Sequence, residues 1–197
     1  MALKKSKLES GFIKIFNPDD NPPSSLDDCA ERITDVIIDY LNDVKINQLS
    51  APGIFPPPAG PGPDPSFTPI KLSPTTPPKS NKSFIESGLK SAMKTNAGGA
   101  DGAGANKTGW VVADTAFRGY IAASFLAFAG GGYTATGATT PGTINLKQVF
   151  SSESDDSNDI ASKLANHLHT FFTTSVFTGA YLKASFIGPG PHISPLV

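Results

Sequence analysis

Eleven of the chain's eighteen prolines fall within the 28 residues from Ala51 to Pro78. Each proline fixes φ at about −65° and removes a backbone donor, so neither a helix nor a packed central element is expected there. Drawn out as polyproline II, at about 3.1 Å per residue, such a segment reaches on the order of 85 Å. A compact domain has no need of a connector with that reach. The segment therefore reads as an arm that wraps the protein's own surface or lies on a neighbour. Phe55, Phe67 and Ile70 are its spaced apolar anchors. A plain spacer is the competing reading.

On either side of the arm the pattern is helical. Leu8, Phe12, Ile15 and Phe16 recur at helical spacing and predict a short helix over 3–16, closed by the proline-containing stretch that follows. Ser25 with Asp28 has the form of a capping box, and acids in the first turn suit the helix dipole. From there Cys29, Ile33, Val36, Ile37, Tyr40, Leu41 and Val44 draw one apolar stripe, predicting a helix over 25–47. Ser83 and Glu86 suggest a second capping box, opening a helix over 83–95 that carries Phe84, Ile85, Leu89 and Met93. A third long helix is predicted over 110–129. It is apolar nearly all round, as a helix enclosed by others should be, and Gly130-Gly131-Gly132 stops it. Asp114 and Arg118 are placed to pair along its one wet edge. The last helix, 157–177, is capped by Asp156 or Ser157 and gives way to β-branched, extended sequence near its end. The expected fold is mainly α: a single small bundle of four to five helices over 1–197, with the proline arm 51–78, irregular Gly-rich loops and an extended tail 184–197.

Composition narrows the function classes. Sixteen basic against seventeen acidic residues leave a net charge of −1, so no specific nucleic acid is expected as a partner. Charged residues make up 17%, against about 25% in an average domain. Cys29 is the lone cysteine, which excludes a disulfide framework. The apolar run Trp110–Ala129 has the length of a membrane span but holds Asp114 and Arg118, so a buried helix is the better reading and no membrane span is expected.

Sequences that could carry chemistry are incomplete. In 98–108 Gly99 and Gly104 have the separation of a phosphate-binding loop, but Ala105 and Asn106 intervene before Lys107-Thr108. Asp155, Ser157 and Asp159 alternate like calcium ligands without the glycine and the bidentate glutamate such a loop needs. His167 and His169 point about 200° apart on a helix and cannot share a metal. Cys29 lacks a readable base. No cofactor, metal or small-molecule substrate is expected, and the protein reads as a non-enzyme; Asp35 or His169 would be the residues of an unseen active site.

Asp35, Asp39 and Asp43 form an acidic stripe at i, i+4, i+8, and like charges at that spacing repel. A basic surface would neutralise it. Residues 79–147 carry seven basic and three acidic side chains, so the charges can meet within the fold or between copies.

The order of features resembles a family. A Lys-rich start, Ala2-Leu3-Lys4-Lys5-Ser6-Lys7-Leu8, opens a short helix. Pro22-Pro23-Ser24-Ser25 leads to a helix with Cys29-Ala30, then a Pro/Gly linker and the aromatic–alanine helix Ala113–Ala129. Ala161–Phe171 runs into Thr-rich sequence and a Gly-Pro end. This layout resembles small structural proteins of T4-like contractile-tailed bacteriophages, those encoded among tail and baseplate components. It lacks a diagnostic motif, and the long proline connector departs from it. The resemblance implies a virion structural protein of the tail, baseplate or neck. It would act by oligomeric assembly with copies of itself and other virion proteins, in the virion and, during assembly, in the host cytoplasm. A soluble adaptor or chaperone-like module binding through the arm is the alternative. The expected contact residues are Phe55, Phe67, Ile70, Trp110, Asp35, Asp39, Asp43, Phe186 and Ile187.

Overall fold

The fold was analysed in a computed structural model. It describes residues 3–17, 19, 21–42, 44–48, 52–54, 61–63, 70–97, 109–125, 128–129, 133–139, 144, 146, 149, 156–181 and 194–195. The chain is mainly helical. Among the described residues five α-helices form the body: α1 (Lys5–Phe16), α2 (Leu26–Leu41), α3 (Lys82–Ala97), α4 (Gly109–Ser124) and α5 (Ser157–Thr174).

The apolar stripes become the core. Leu8, Phe12 and Ile15 of α1, with Ile33, Ile37 and Leu41 of α2, are almost wholly buried. Ile85 and Leu89 of α3, Phe117, Tyr120 and Ile121 of α4, and Leu164, Leu168 and Phe172 of α5 join them in one cluster. Burying each such aliphatic or aromatic side chain stabilises by roughly 1.5–3 kcal/mol. The helix α1 packs on α2 and α5, α2 packs on α3, and α3 on α4. Phe117 joins α4 to α5 edge-on, with its ring 6.3 Å from Phe171 and 6.4 Å from Phe172.

Two crossings are unusually close. A Cβ added at Gly88 would stand 2.3 Å from the Cβ of Ala116, and one at Gly11 would stand 2.5 Å from Cγ1 of Val36. The backbones of α3 and α4, and of α1 and α2, therefore meet where glycine leaves room for them.

Helix ends follow local chemistry. Ser25 caps α2, its hydroxyl accepting from the Asp28 N–H at 3.1 Å. The Asp28 carboxylate turns back to the Ser24 N–H (2.8 Å) and takes Arg32 on both oxygens (2.8 and 3.0 Å). Arg32 holds that carboxyl below its ordinary pKa, with help from the Ser24 N–H. Asp156 caps α5 through the Asn158 N–H at 2.8 Å.

Several boundaries differ from the sequence expectation. Helix α1 starts at Lys5 rather than residue 3, and α5 ends at Thr174 rather than 177, with Ser175 as its C-cap and Val176 already in a strand. Helix α2 stops at Leu41 rather than residue 47: Asn42 is the C-cap, and Ile46–Gln48 leave as strand β1. Helix α3 starts one residue early, behind the 3-10 turn Pro78–Asn81, so Ser83 lies inside the helix. Glu86 then bonds Lys90 at 2.6 Å instead of completing a box. Helix α4 ends at Ser124, five residues before the glycines. There Asn81 Nδ2 donates to Ser124 Oγ (3.2 Å), Tyr120 donates to the Pro78 carbonyl (3.1 Å), and the Phe125 ring packs edge-on against Tyr120.

The described parts of the arm, Pro52–Ile54, Pro61–Pro63 and Ile70–Pro74, are strands, and they pair. Strand β1 runs antiparallel to β4 (Ile70–Pro74), with Ile46 opposite Leu72 and Gln48 opposite Ile70. Inside that pair, β2 (Pro52–Ile54) faces β3 (Pro61–Pro63). Gly53 and Gly62 are the one β2–β3 pair in which both residues keep an N–H. The far end of β4 takes β5 (Phe128–Ala129), which draws the chain out of α4. After α5, strand β7 (Val176–Tyr181) pairs with β6 (Tyr133–Thr139), and with β8 (Ser194–Pro195) from the tail. The stretch after the glycines, expected as a loop or irregular extended segment, thus forms a strand over Tyr133–Thr139 whose register shifts between Ala135 and Gly137. None of the helices is long and apolar enough to cross a membrane, among the described residues.

Candidate functional site

The residues singled out by chemistry were placed first. Asp35 bonds Lys82 across to α3 (3.1 Å), and Asp39 pairs with Lys7 of α1 (3.2 Å). Two thirds of the acidic stripe is thus met by lysines of the same chain, and Asp35 raises the Lys82 pKa. Asp43, Phe55, Phe67, Phe186 and Ile187 lie outside the described residues, as do 98–108 and Asp155. Ile70 opens β4. Trp110 is buried at the start of α4, 7% exposed, and faces the core rather than solvent.

His169 lies half-buried on α5. Its Nδ1 is 2.7 Å from the hydroxyl of Tyr40, which is buried on α2. Burial first, and then the Lys5 charge, push the imidazole pKa down; burial drives the Tyr40 hydroxyl upward. Lys5 itself donates to Asn166 Oδ1 at 2.9 Å. This group joins α1, α2 and α5, and it opens into none of the clefts described below.

Cys29 is half-buried, and desolvation pushes its thiol pKa up, with Asp28 adding to the effect. That is the reverse of what a nucleophile needs. Asp114 was expected on a wet edge and is instead 8% exposed. Burial raises its pKa, opposed by the Arg118 charge and by a hydrogen bond from the Leu146 N–H, while Oδ1 has no hydrogen-bond partner. Among the described residues, no three His, Cys, Asp or Glu side chains converge to hold a metal ion.

The outer face of the α3–α4 pair is different in kind. An apolar groove of about 590 Å³ runs between the two helices, lined by Phe84, Ser87 and Gly88 of α3 and by Val112, Thr115 and Ala116 of α4. Phe84 is 45% exposed, Val112 47% and Val111 63%. The fully exposed positions of α4 are Val111, Val112, Thr115, Ala122 and Ala123, with Arg118 partly exposed in the same row. On α3 the outer residues are Ser83, Phe84, Ser87, Ser91, Lys94 and Thr95, and Lys94 is paired with Asp27 of α2 at 2.9 Å. By contrast, α2 shows Glu31, Asp35 and Asp39 to solvent.

The sequence reading missed this face because it named Phe84 together with Ile85, Leu89 and Met93 without separating the sides of the helix. Ile85, Leu89 and Ala92 occupy the buried side, and adjacent residues on a helix lie about 100° apart, so Phe84 turns outward. The available signal was the all-round apolar character of α4, taken there as enclosure by this chain's own helices. Helix α4 in fact leaves one side uncovered, so exposed apolar surface gathers where interaction sites do.

A more polar cleft of about 580 Å³ has Asp35, Asp39, Lys79 and Lys82 on its walls. Its Asp35 and Lys82 already satisfy each other. No protein-family model, no characterised protein and no solved structure matches the chain.

Proposed function

We propose that this chain is an assembly protein: a virion structural component of the tail, baseplate or neck of a contractile-tailed phage, acting by contact with copies of itself and with other virion proteins. The observation that carries the reading is the α3–α4 face. Two full helices turn an apolar groove and three large apolar side chains toward water, with no unpaired charge among the outer residues of that face. Depletion of charge and enrichment in aromatic and aliphatic groups are the marks of an interface centre. The resemblance of its layout to phage tail proteins suggests the setting, and the groove suggests the mode of action. Among the described residues, Asp28, Asp35, Asp39 and Glu86 are in ion pairs, and burial pushes the Cys29 thiol pKa up. We read the protein as a non-enzyme.

Light scattering behind size exclusion, followed by electron microscopy of the concentrated protein alone and mixed with tail-derived particles, tests this. Concentration-dependent multimers or incorporation into particles are expected. A chain that stays monomeric at every concentration and joins no particle refutes the proposal.

A further inference from the structure

We propose that strand β8 is a latch. Seated between β7 and β1, it fastens the base of the proline arm to the β6–β7–β8 sheet; withdrawn, it lets the arm base move away. The device is internal to one chain, so it stands or falls apart from the assembly reading.

Two strand edges meet here. In one sheet the order is β1–β4–β5, so β1 is an outer strand. In the other the order is β6–β7–β8, so β8 is an outer strand. Each Cα of Ile46–Gln48 lies within 8 Å of both Cα atoms of Ser194–Pro195, so the two edges stand side by side. A bare strand edge invites pairing, and a two-stranded ribbon such as β1–β4 is marginal in water without a neighbour. Strand β8 supplies that neighbour on the β1 side, as β5 does on the β4 side.

The sheets are also joined where β5 ends at Ala129 and β6 starts at Tyr133, with Gly130-Gly131-Gly132 between them. That junction is covalent and permanent. The β8 junction is not, and it brings together a strand that precedes α3, α4 and α5 and a strand that follows them.

The hold on β8 is light. It pairs with β7 over two residues, Ser194 opposite Phe177 and Pro195 opposite Val176. Pro195 has no N–H, so Ser194 brings the strand's one backbone donor. By contrast, β7 pairs with β6 along its full length, Val176 to Tyr181. A backbone hydrogen bond exchanged against water contributes little by itself, so β8 leaves far more readily than β6. Twelve residues separate Tyr181 from Ser194, enough for β8 to part from β7 without drawing β7 off β6. Once β8 has gone, β1 is an open edge. The arm base is then tied to the strands through Ser73 opposite Ala129 and Pro74 opposite Phe128.

Amide hydrogen exchange of the full chain, read peptide by peptide in a mass spectrometer, tests this. Two variants act on β8 in opposite senses. Ser194→Pro removes its last donor, and Pro195→Val supplies a donor on a residue suited to strands. In Ser194→Pro, peptides covering Ile46–Gln48 and Ile70–Leu72 are expected to exchange roughly tenfold faster than in the wild type. In Pro195→Val they are expected to exchange more slowly, with peptides from α1 to α5 unchanged in both. Faster exchange confined to Val176–Tyr181 would place β8 on β7 without a hold on the arm, and overturns the latch. Unchanged exchange in every strand overturns it too, as does a Pro195→Val protein whose arm base exchanges as fast as that of Ser194→Pro. Exchange that also rises through the helices assigns β8 to the stability of the whole body and likewise refutes the proposal.

Discussion

At Tyr40 a single hydroxyl ties two helices together, and a third adds a charge nearby. In the neutral imidazole with its proton on Nε2, His169 Nδ1 accepts from that hydroxyl, while burial, and after it the Lys5 charge on α1, disfavours a second proton. Removing the hydroxyl in Tyr40→Phe leaves a half-buried acceptor without its donor. A loss of about 1–2 kcal/mol is expected, read from the urea midpoint at constant m. The same pair gives a pH dependence with a definite sign. An unfolded chain binds the histidine proton near pH 6.5, and the folded ring binds it only at lower pH. Between those values the unfolded state holds more protons, so this contribution is fully present above about pH 6.5 and is lost as the pH falls. The buried Asp114 carboxyl, whose pKa is raised by burial, works in the opposite sense, its contribution being lost as the pH rises. Urea midpoints of wild type and His169→Gln across about pH 7 to 5 separate the two. The variant should show the flatter profile, and an equal slope in both would clear His169 of any part in it.

At the level of elements, glycine decides how closely helices approach. Gly88→Ala would push a methyl into Ala116, whose Cβ would stand 2.3 Å away, and neither helix backbone can yield without sliding. Overpacking of this kind costs about 1–3 kcal/mol. Adding Ala116→Gly removes the obstructing methyl. The double variant should regain part of the loss, short of the full amount because glycine within a helix costs about 1 kcal/mol. Thermal melts of the four proteins in the cycle give the coupling, and its absence would place the clash elsewhere.

Elements also show what sequence could convey. The start of α2 was legible because Ser25 and Asp28 satisfy backbone donors within four residues of chain. The body of each helix was legible because burial follows a 3.6-residue period in Leu8–Phe12–Ile15 and Leu164–Leu168–Phe171 alike. Ends governed by remote partners were not. Helix α4 stops where β4 recruits β5, some fifty residues away in sequence, and α2 gives way to a strand whose partner begins at Ile70. The groove was hidden for the same reason: nothing within α4 records which of its apolar sides the rest of the chain leaves bare.

For the whole molecule, the arm is the place where chain connectivity and packing part company. Helices α1 and α2 precede it, and α3, α4 and α5 follow, yet α1 packs on α5 and α2 packs on α3. The core is thus sewn from both sides of the proline segment. Its strand pairs bring Gln48 beside Ile70, so the peptide between them closes a circuit instead of bridging a gap. Cutting a closed circuit separates nothing that packing holds. Two fragments, expressed apart and meeting within residues 55–60, should recombine on mixing into one helical particle with a cooperative melt. The melting temperature of that pair should rise with concentration, because joining has become bimolecular. Fragments that stay apart at high concentration would show that the covalent link itself holds the two halves together. The proline segment therefore offers a natural seam, at which this protein can be made in two parts.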